Sequence, residues 1–219
     1  MQSPVASFRI PAPVGRRSVQ LLVGLVLYAA SMALLVHSGL GNMPWDVLTQ
    51  GISRRTGASF GTITVAVSVL VLLCWIPLRQ RPGVGTVANV LVIGVLVDPF
   101  LAALDQLPDP LPMAARVAMA VSGIVLNALA TGLYVGAQLG PGPRDGLMTG
   151  LVGRTGWPVA PVRTSIEVVV VAAGWALGGT VGFATLAYAL LVGPLVHVFL
   201  PRLTVRVRQS EPVALVAAT

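Results

Sequence analysis

Leu40-Gly41-Asn42-Met43-Pro44-Trp45-Asp46-Val47-Leu48-Thr49-Gln50-Gly51-Ile52-Ser53-Arg54-Arg55-Thr56-Gly57 is met again 99 residues later as Leu139-Gly140-Pro141-Gly142-Pro143-Arg144-Asp145-Gly146-Leu147-Met148-Thr149-Gly150-Leu151-Val152-Gly153-Arg154-Thr155-Gly156. The leading Leu-Gly, then Pro, Asp, Leu and Gly, and the closing Arg-Thr-Gly keep their places in both copies. The register extends outward without a gap. Gly24 to Leu101 lies over Gly123 to Leu200 with 27 of 78 positions identical, where so biased a composition would give about a tenth by chance. Thr86, Ala88, Leu91, Gly94 and Phe100-Leu101 return as Thr185, Ala187, Leu190, Gly193 and Phe199-Leu200. The chain is a duplicated unit.

Each copy holds three apolar runs. They predict spans at 18–38, 60–78, 84–104, 113–137, 160–178 and 182–200, separated by breaks rich in glycine, proline and charge such as Arg79-Gln80-Arg81-Pro82-Gly83. With 55% hydrophobic and only 10% charged residues, and mean hydropathy +0.87, most of the surface must face lipid. Arg16-Arg17 before an apolar run, with Ala29-Ala30-Ser31 inside it, resembles a secretory signal. The repeat makes this run the partner of the fourth span, so it is retained. The expected organisation is a tail at 1–17, a first membrane repeat at 18–104, an outer connector at 105–112, a second repeat at 113–200 and a tail at 201–219.

Three is odd, so the second copy should enter the membrane from the opposite side, giving an all-α fold of two inverted-topology repeats. Arginine placement agrees. With the N-terminus inside, Arg9, Arg16, Arg17, Arg79, Arg81, Arg144, Arg154, Arg163, Arg202, Arg206 and Arg208 fall on the cytoplasmic side, against Arg54, Arg55 and Arg116 outside. A bacterial inner membrane with both termini cytoplasmic is the expectation. The formal charge of +7 is spread over the ends of the runs and not gathered on one face, so no nucleic-acid partner is expected.

The repeated connector reads as a short helix: proline and aspartate at its start, arginine in its last turn, glycine after it. Roughly 11 residues reach only about 16 Å, too short for a core of about 30 Å. It is therefore interfacial, with Val47, Leu48 and Ile52 toward lipid, or re-entrant, with its N-terminus turned to a central cavity. Gly51 and Gly150 favour close packing on a neighbour in either case.

Ser38-Gly39-Leu40-Gly41-Asn42-Met43-Pro44-Trp45-Asp46-Val47-Leu48, followed by Gly51, Thr56-Gly57 and Ser59-Phe60-Gly61-Thr62, resembles the YczE-type family of bacterial integral membrane proteins, in the group that includes YyaS and YitT. The resemblance spans about residues 18–200. It implies the fold and a bacterial membrane location, and brings no substrate or site with it. The second copy departs from the motif by placing Arg144 where Trp45 stands.

Candidate substrate-binding residues are Pro44, Asp46 and Arg55, their equivalents Pro143, Asp145 and Arg154, and the pair Arg163 and Glu167, four apart on one helix face. Arg163 with Glu167 also reads as a snorkelling ion pair. Asp98 reads as a helix-end residue at the outer interface, and His37 and His197 as interfacial residues. Asn89, Asn127, Thr131, Thr164 and Ser165 read as interhelical hydrogen-bonding groups, and Trp45, Trp75, Trp157, Trp175 and Tyr188 as an aromatic belt. Cys74 is a small apolar residue with no disulfide partner. No catalytic constellation, metal set or cofactor fingerprint is found, so no enzyme and no cofactor are expected. Two classes of function remain. One is a small secondary transporter or permease for a small, anionic solute. The other is a non-transporting scaffold or accessory protein of another complex, with a lipid or lipid-linked-precursor flippase as a further alternative. The expected partners are the bilayer, a small solute and either a second copy or a membrane partner protein.

Overall fold

A computed structural model describes residues 14–205, and among these every regular element is helical. The elements are α1 (Val14–Ser38), α2 (Pro44–Thr56), α3 (Phe60–Leu78), α4 (Val84–Leu104), α5 (Met113–Gly136), α6 (Pro143–Thr155), α7 (Val159–Ala176) and α8 (Phe183–Leu203). Six of them are long and apolar enough to cross a membrane. At 1.5 Å per residue, lengths of 18 to 25 residues give about 27–37 Å, which matches a hydrocarbon core of about 30 Å. They coincide with the six predicted spans to within a few residues; α1 starts four positions early and α8 runs three further. Leu70, Ile76, Val95, Leu190 and Phe183 are each more than half exposed on their outer faces, an arrangement suited to lipid and not to water. Arg9, Arg206 and Arg208, on which the expected orientation partly rests, lie outside the described residues.

The two short helices begin and end on their predicted signals. Pro44 and Pro143 occupy the first turn, Asp46 and Asp145 follow them, and Gly57 and Gly156 close the helices in the left-handed region at φ 74° and 70°. Ser59 then caps α3 by accepting from Thr62 N at 3.2 Å.

α1 and α5 pack antiparallel at the centre. A side chain at Gly24 would strike Ala130, Leu133 and Tyr134, and one at Gly123 would strike Ser31, Leu34 and Leu35. These two sets of partners are themselves 99 residues apart. α4 flanks α1 and α8 flanks α5, while α2 lies mainly on α7, and α6 mainly on α3. Each short helix thus docks on the middle long helix of the other copy.

The same exchange holds atom by atom. Gly85 N donates to Leu139 O at 2.8 Å, and Ala184 N donates to Leu40 O at 3.0 Å. Gly83 N donates to Thr86 Oγ1 at 3.0 Å, and Gly182 N to Thr185 Oγ1 at 3.3 Å. These bonds satisfy irregular backbone at 39–43 and 138–142 that lies inside the bundle. Gly41 and Gly140 sit there at φ 125° and 127°, a conformation strained for any side chain. Their α-carbons press on the starts of α8 and α4.

Several expectations need correction. Val47 is fully buried and Leu48 and Ile52 pack in a core cluster with α3, so this face of α2 does not look out to lipid. Asp98 lies inside α4 and not at its end, and its Oδ1 accepts from Gly61 N at 2.8 Å, which satisfies the first turn of α3. Trp45, Trp75 and Tyr188 are interior residues, half-buried or buried, whereas Trp157 and Trp175 are exposed. The reason is local: α6 packs over Trp75, Arg144 stacks on Trp45, and Tyr188 is drawn inward by Asn127. Cys74 is exposed.

Candidate functional site

α2 and α6 begin against each other. Arg144 Nη2 donates to Asp46 Oδ1 at 3.2 Å, and the Arg144 guanidinium carbon stands 5.4 Å from the centre of the Trp45 ring. Trp45 and Arg144 are equivalent positions of the two copies, so the repeats meet at the point where their motifs differ. Asp46 is fully buried and the Arg144 side chain is 21% exposed. The other aspartate, Asp145, accepts from the Tyr134 hydroxyl. Tyr134 in turn meets Tyr28 edge to face at 6.0 Å.

Local packing holds these two helix starts in place. Trp75 Nε1 donates to Pro143 O at 3.0 Å, and its ring covers Gly146, where any β-carbon would overlap it. On the opposite side Gly174 packs against the backbone of Val47 and Leu48, and Gly51 against Gly174 O and Leu177. Glycines let the backbones approach this closely. Gly150 rests on Leu78 and Gln80 in the same way.

A second polar group ties three helices together. Tyr188 Oη donates to Asn127 Oδ1 at 2.8 Å, Asn127 Nδ2 donates to Ser31 Oγ at 2.9 Å, and Ser31 Oγ donates to Tyr28 O at 2.6 Å. This crosses α8, α5 and α1, and bears out the reading of Asn127 as an interhelical group.

Two cavities flank this centre. The first, of about 90 Å³, includes Pro44, Trp45, Arg163, Glu167 and Tyr188 in its wall; the second, of about 50 Å³, includes Thr64, Ser68, Asn89, Tyr134 and Pro143. Each has room for a few waters or a small polar group. Tyr28, Arg144 and Asp145 line both and form the partition. The walls are repeat equivalents: Pro44 answers Pro143, Arg163 answers Thr64, Glu167 answers Ser68, and Tyr188 answers Asn89. Apart from the shared Arg144 and Asp145, the wall is therefore charged in one copy and uncharged in the other.

Of the candidate residues, Pro44, Asp46, Pro143, Asp145, Arg163 and Glu167 come together here. Arg163 Nε donates to Glu167 Oε1 at 2.8 Å, with both side chains partly exposed. Arg55 and Arg154 do not join them. Arg55 Nε donates to Leu177 O at 3.4 Å, and Arg154 Nη1 donates to Pro77 O. Together with Arg54, which reaches Gly178 O, they satisfy the carbonyl ends of α7 and α3. Arg144, Tyr28 and Tyr134 were not among the candidates. One signal marks some of this centre in the sequence: positions 28/127 and 89/188 carry Tyr/Asn and Asn/Tyr, polar in both copies within apolar spans. Among the described residues no group of three His, Cys, Asp or Glu side chains is placed to hold a metal.

The geometry can be set beside known proteins. An uncharacterized protein of Haemophilus influenzae is 39% identical over 184 residues, covering 81% of this chain and 83% of its own. The uncharacterized membrane protein YczE of Bacillus subtilis is 31% identical over 203 residues, 87% of this chain and 93% of its own, and YyaS of the same organism is 26% identical over 180 residues, 82% and 90%. No solved structure matches. The model of a family of unknown function, DUF6198, matches residues 15–201, and the chain, a membrane protein, belongs to that family.

Proposed function

We propose that this protein is a small secondary transporter or permease, and that its solute binds between the starts of α2 and α6. The reading takes the two copies as an inverted-topology pair in a bacterial inner membrane, with both termini cytoplasmic. The antiparallel α1 and α5 and the reciprocal contacts at Leu40 and Leu139 support this. In it α2 and α6 are re-entrant helices that enter from opposite faces.

The observation that carries the proposal is the convergence of two helix N-termini on a polar partition between two cavities. Helix N-termini carry partial positive charge, and Arg144 adds a full one when it turns its donors from Asp46 to the solute, so a small anionic group suits the point between them. Exchange of the two hollows between open and closed, by rocking of one copy against the other, moves the solute past Arg144. No covalent step is involved.

A second reading, transfer of an amphiphile with a small charged head, draws on one further feature. An apolar groove of about 450 Å³ along α7 and α8 shares Pro44 and Glu167 with the charged cavity. Reconstitution separates the two. Liposomes containing the protein should take up a labelled small anion from a mixed panel, and Arg144→Met should abolish uptake. Scrambling of headgroup-labelled lipid without uptake of any soluble anion would favour the amphiphile, and neither activity would overturn both.

A further inference from the structure

Asn42 Oδ1, Asp46 Oδ2 and Thr49 Oγ1 are buried and have no hydrogen-bond partner among the protein's atoms. All three residues are fully buried, where an unmatched polar oxygen is costly. We propose that these three oxygens form the protein's share of a binding site for a partly hydrated monovalent cation of sodium or potassium size, placed beside the Arg144 pair.

The orientation of Asn42 is not free. Gln50 Oε1 accepts from Thr180 N at 2.7 Å and from Asn42 Nδ2 at 2.9 Å. An oxygen that accepts a backbone N–H is correctly assigned, so the Asn42 nitrogen must face it and Asn42 Oδ1 is turned away. Asp46, Thr49 and Gln50 are spaced i, i+3 and i+4 and share one face of α2. Asn42, held by Gln50, lies over that same face.

The second copy provides an internal comparison. The equivalents of Asn42, Asp46 and Thr49 are Pro141, Asp145 and Met148. There Asp145 is engaged by the Tyr134 hydroxyl, and none of the three leaves a buried unpartnered oxygen. The oxygen cluster is therefore a property of the first copy and not of the motif.

Its chemistry selects the ligand. Carboxylate, amide and hydroxyl oxygens are hard donors with no nitrogen or sulfur among them, which fits an alkali cation. A single carboxylate, already sharing its charge with Arg144, gives too little negative charge for a divalent ion such as calcium, which usually draws several carboxylates.

Resting on the transport reading, the site also supplies a coupling device. A cation on Oδ2 of Asp46 competes with Arg144 for one carboxylate. Filling the site loosens Arg144 from Asp46 and turns its donors toward an anionic solute; an empty site draws them back.

Thermal unfolding of the purified full-length protein in detergent, with no solute added, tests the site separately from transport. Midpoints are compared in sodium, potassium and choline chloride at equal ionic strength, while Trp fluorescence follows the native state during each titration. A saturable rise in sodium or potassium, absent in choline, is expected. Thr49→Ser should keep it, and Thr49→Val should weaken the apparent affinity roughly tenfold or more. Equal midpoints and unchanged fluorescence in all three salts would overturn the proposal, leaving the oxygens to water. A cation effect that survives intact in both Thr49→Val and Asp46→Asn would overturn it as well. A cation effect of the expected kind with no solute flux in liposomes would remove the transport reading and keep the site.

Discussion

At Asp46 a carboxylate with no exposure to water is matched by one guanidinium, 3.2 Å away and 21% exposed. Such a pair contributes little net stability, because desolvation offsets the attraction, yet removal of one partner leaves the other stranded. Arg144→Met should lower stability by about 3 kcal/mol. Arg144→Met combined with Asp46→Asn should recover most of that loss, which chemical denaturation in detergent would read as a coupling between the two sites. Gly41 and Gly140 are the other residues whose conformation dominates their role. At φ 125° and 127°, with backbone of the neighbouring copy against them, Gly41→Ala and Gly140→Ala should each cost about 1–3 kcal/mol. Similar losses at both positions, measured by thermal unfolding, are expected from their equivalence. At this scale the sequence was half legible. Pro44, Asp46, Pro143, Asp145, Arg163 and Glu167 could be singled out because charge and proline stand out in apolar surroundings. Trp45, Trp75 and Tyr188 could not be placed, since an aromatic residue near a span end has the same local sequence whether it meets headgroups or a helix folded over it. Arg55 and Arg154 share a motif with the site residues, but α2 and α6 are each about 13 residues long. Their ends lie about 20 Å apart.

Among the elements, α2 and α6 decide the architecture. Their existence and limits were readable from proline, aspartate, arginine and glycine at the two ends, as the bounds Pro44–Thr56 and Pro143–Thr155 bear out. Their docking was not readable, because it depends on contacts such as Gly51 with Gly174 that join segments far apart in the chain. The glycines of α6 make this testable. Gly146 has Trp75 directly over it, whereas Gly153 has nothing within 4 Å. Gly146→Val should force α6 away from α3 and cost about 1–3 kcal/mol by overpacking. Gly153→Ala, on an open helical surface, should instead stabilise by about 0.5–1 kcal/mol. A pair of unfolding curves checks the two signs. If both substitutions destabilised alike, close docking of α6 on Trp75 would not be the reason for Gly146.

For the whole molecule, the six long helices were the most legible feature, because lipid imposes one length and one polarity on every crossing. The duplication was equally plain, since a gapless 99-residue shift carries 27 identities that include proline, aspartate and glycine. What the repeat could not convey was how the copies differentiate. Arg163, Glu167 and Tyr188 on one side face Thr64, Ser68 and Asn89 on the other, and only the paired cavities give that difference a meaning. Beyond the shared Arg144 and Asp145, one hollow adds a charged wall and the other an uncharged one, so solute binding should follow the charged wall. In the liposome assay, Arg163→Gln should therefore reduce uptake more than Ser68→Ala does. All of this depends on the second copy lying upside down relative to the first. Side-specific thiol labelling in intact cells tests it, with Cys74 replaced by serine and single cysteines introduced as Arg54→Cys or Gly153→Cys, equivalent and exposed positions near the far ends of α2 and α6. An impermeant reagent added outside should label the first and reach the second only after the cells are opened. Labelling of both from the same side would contradict the inverted arrangement.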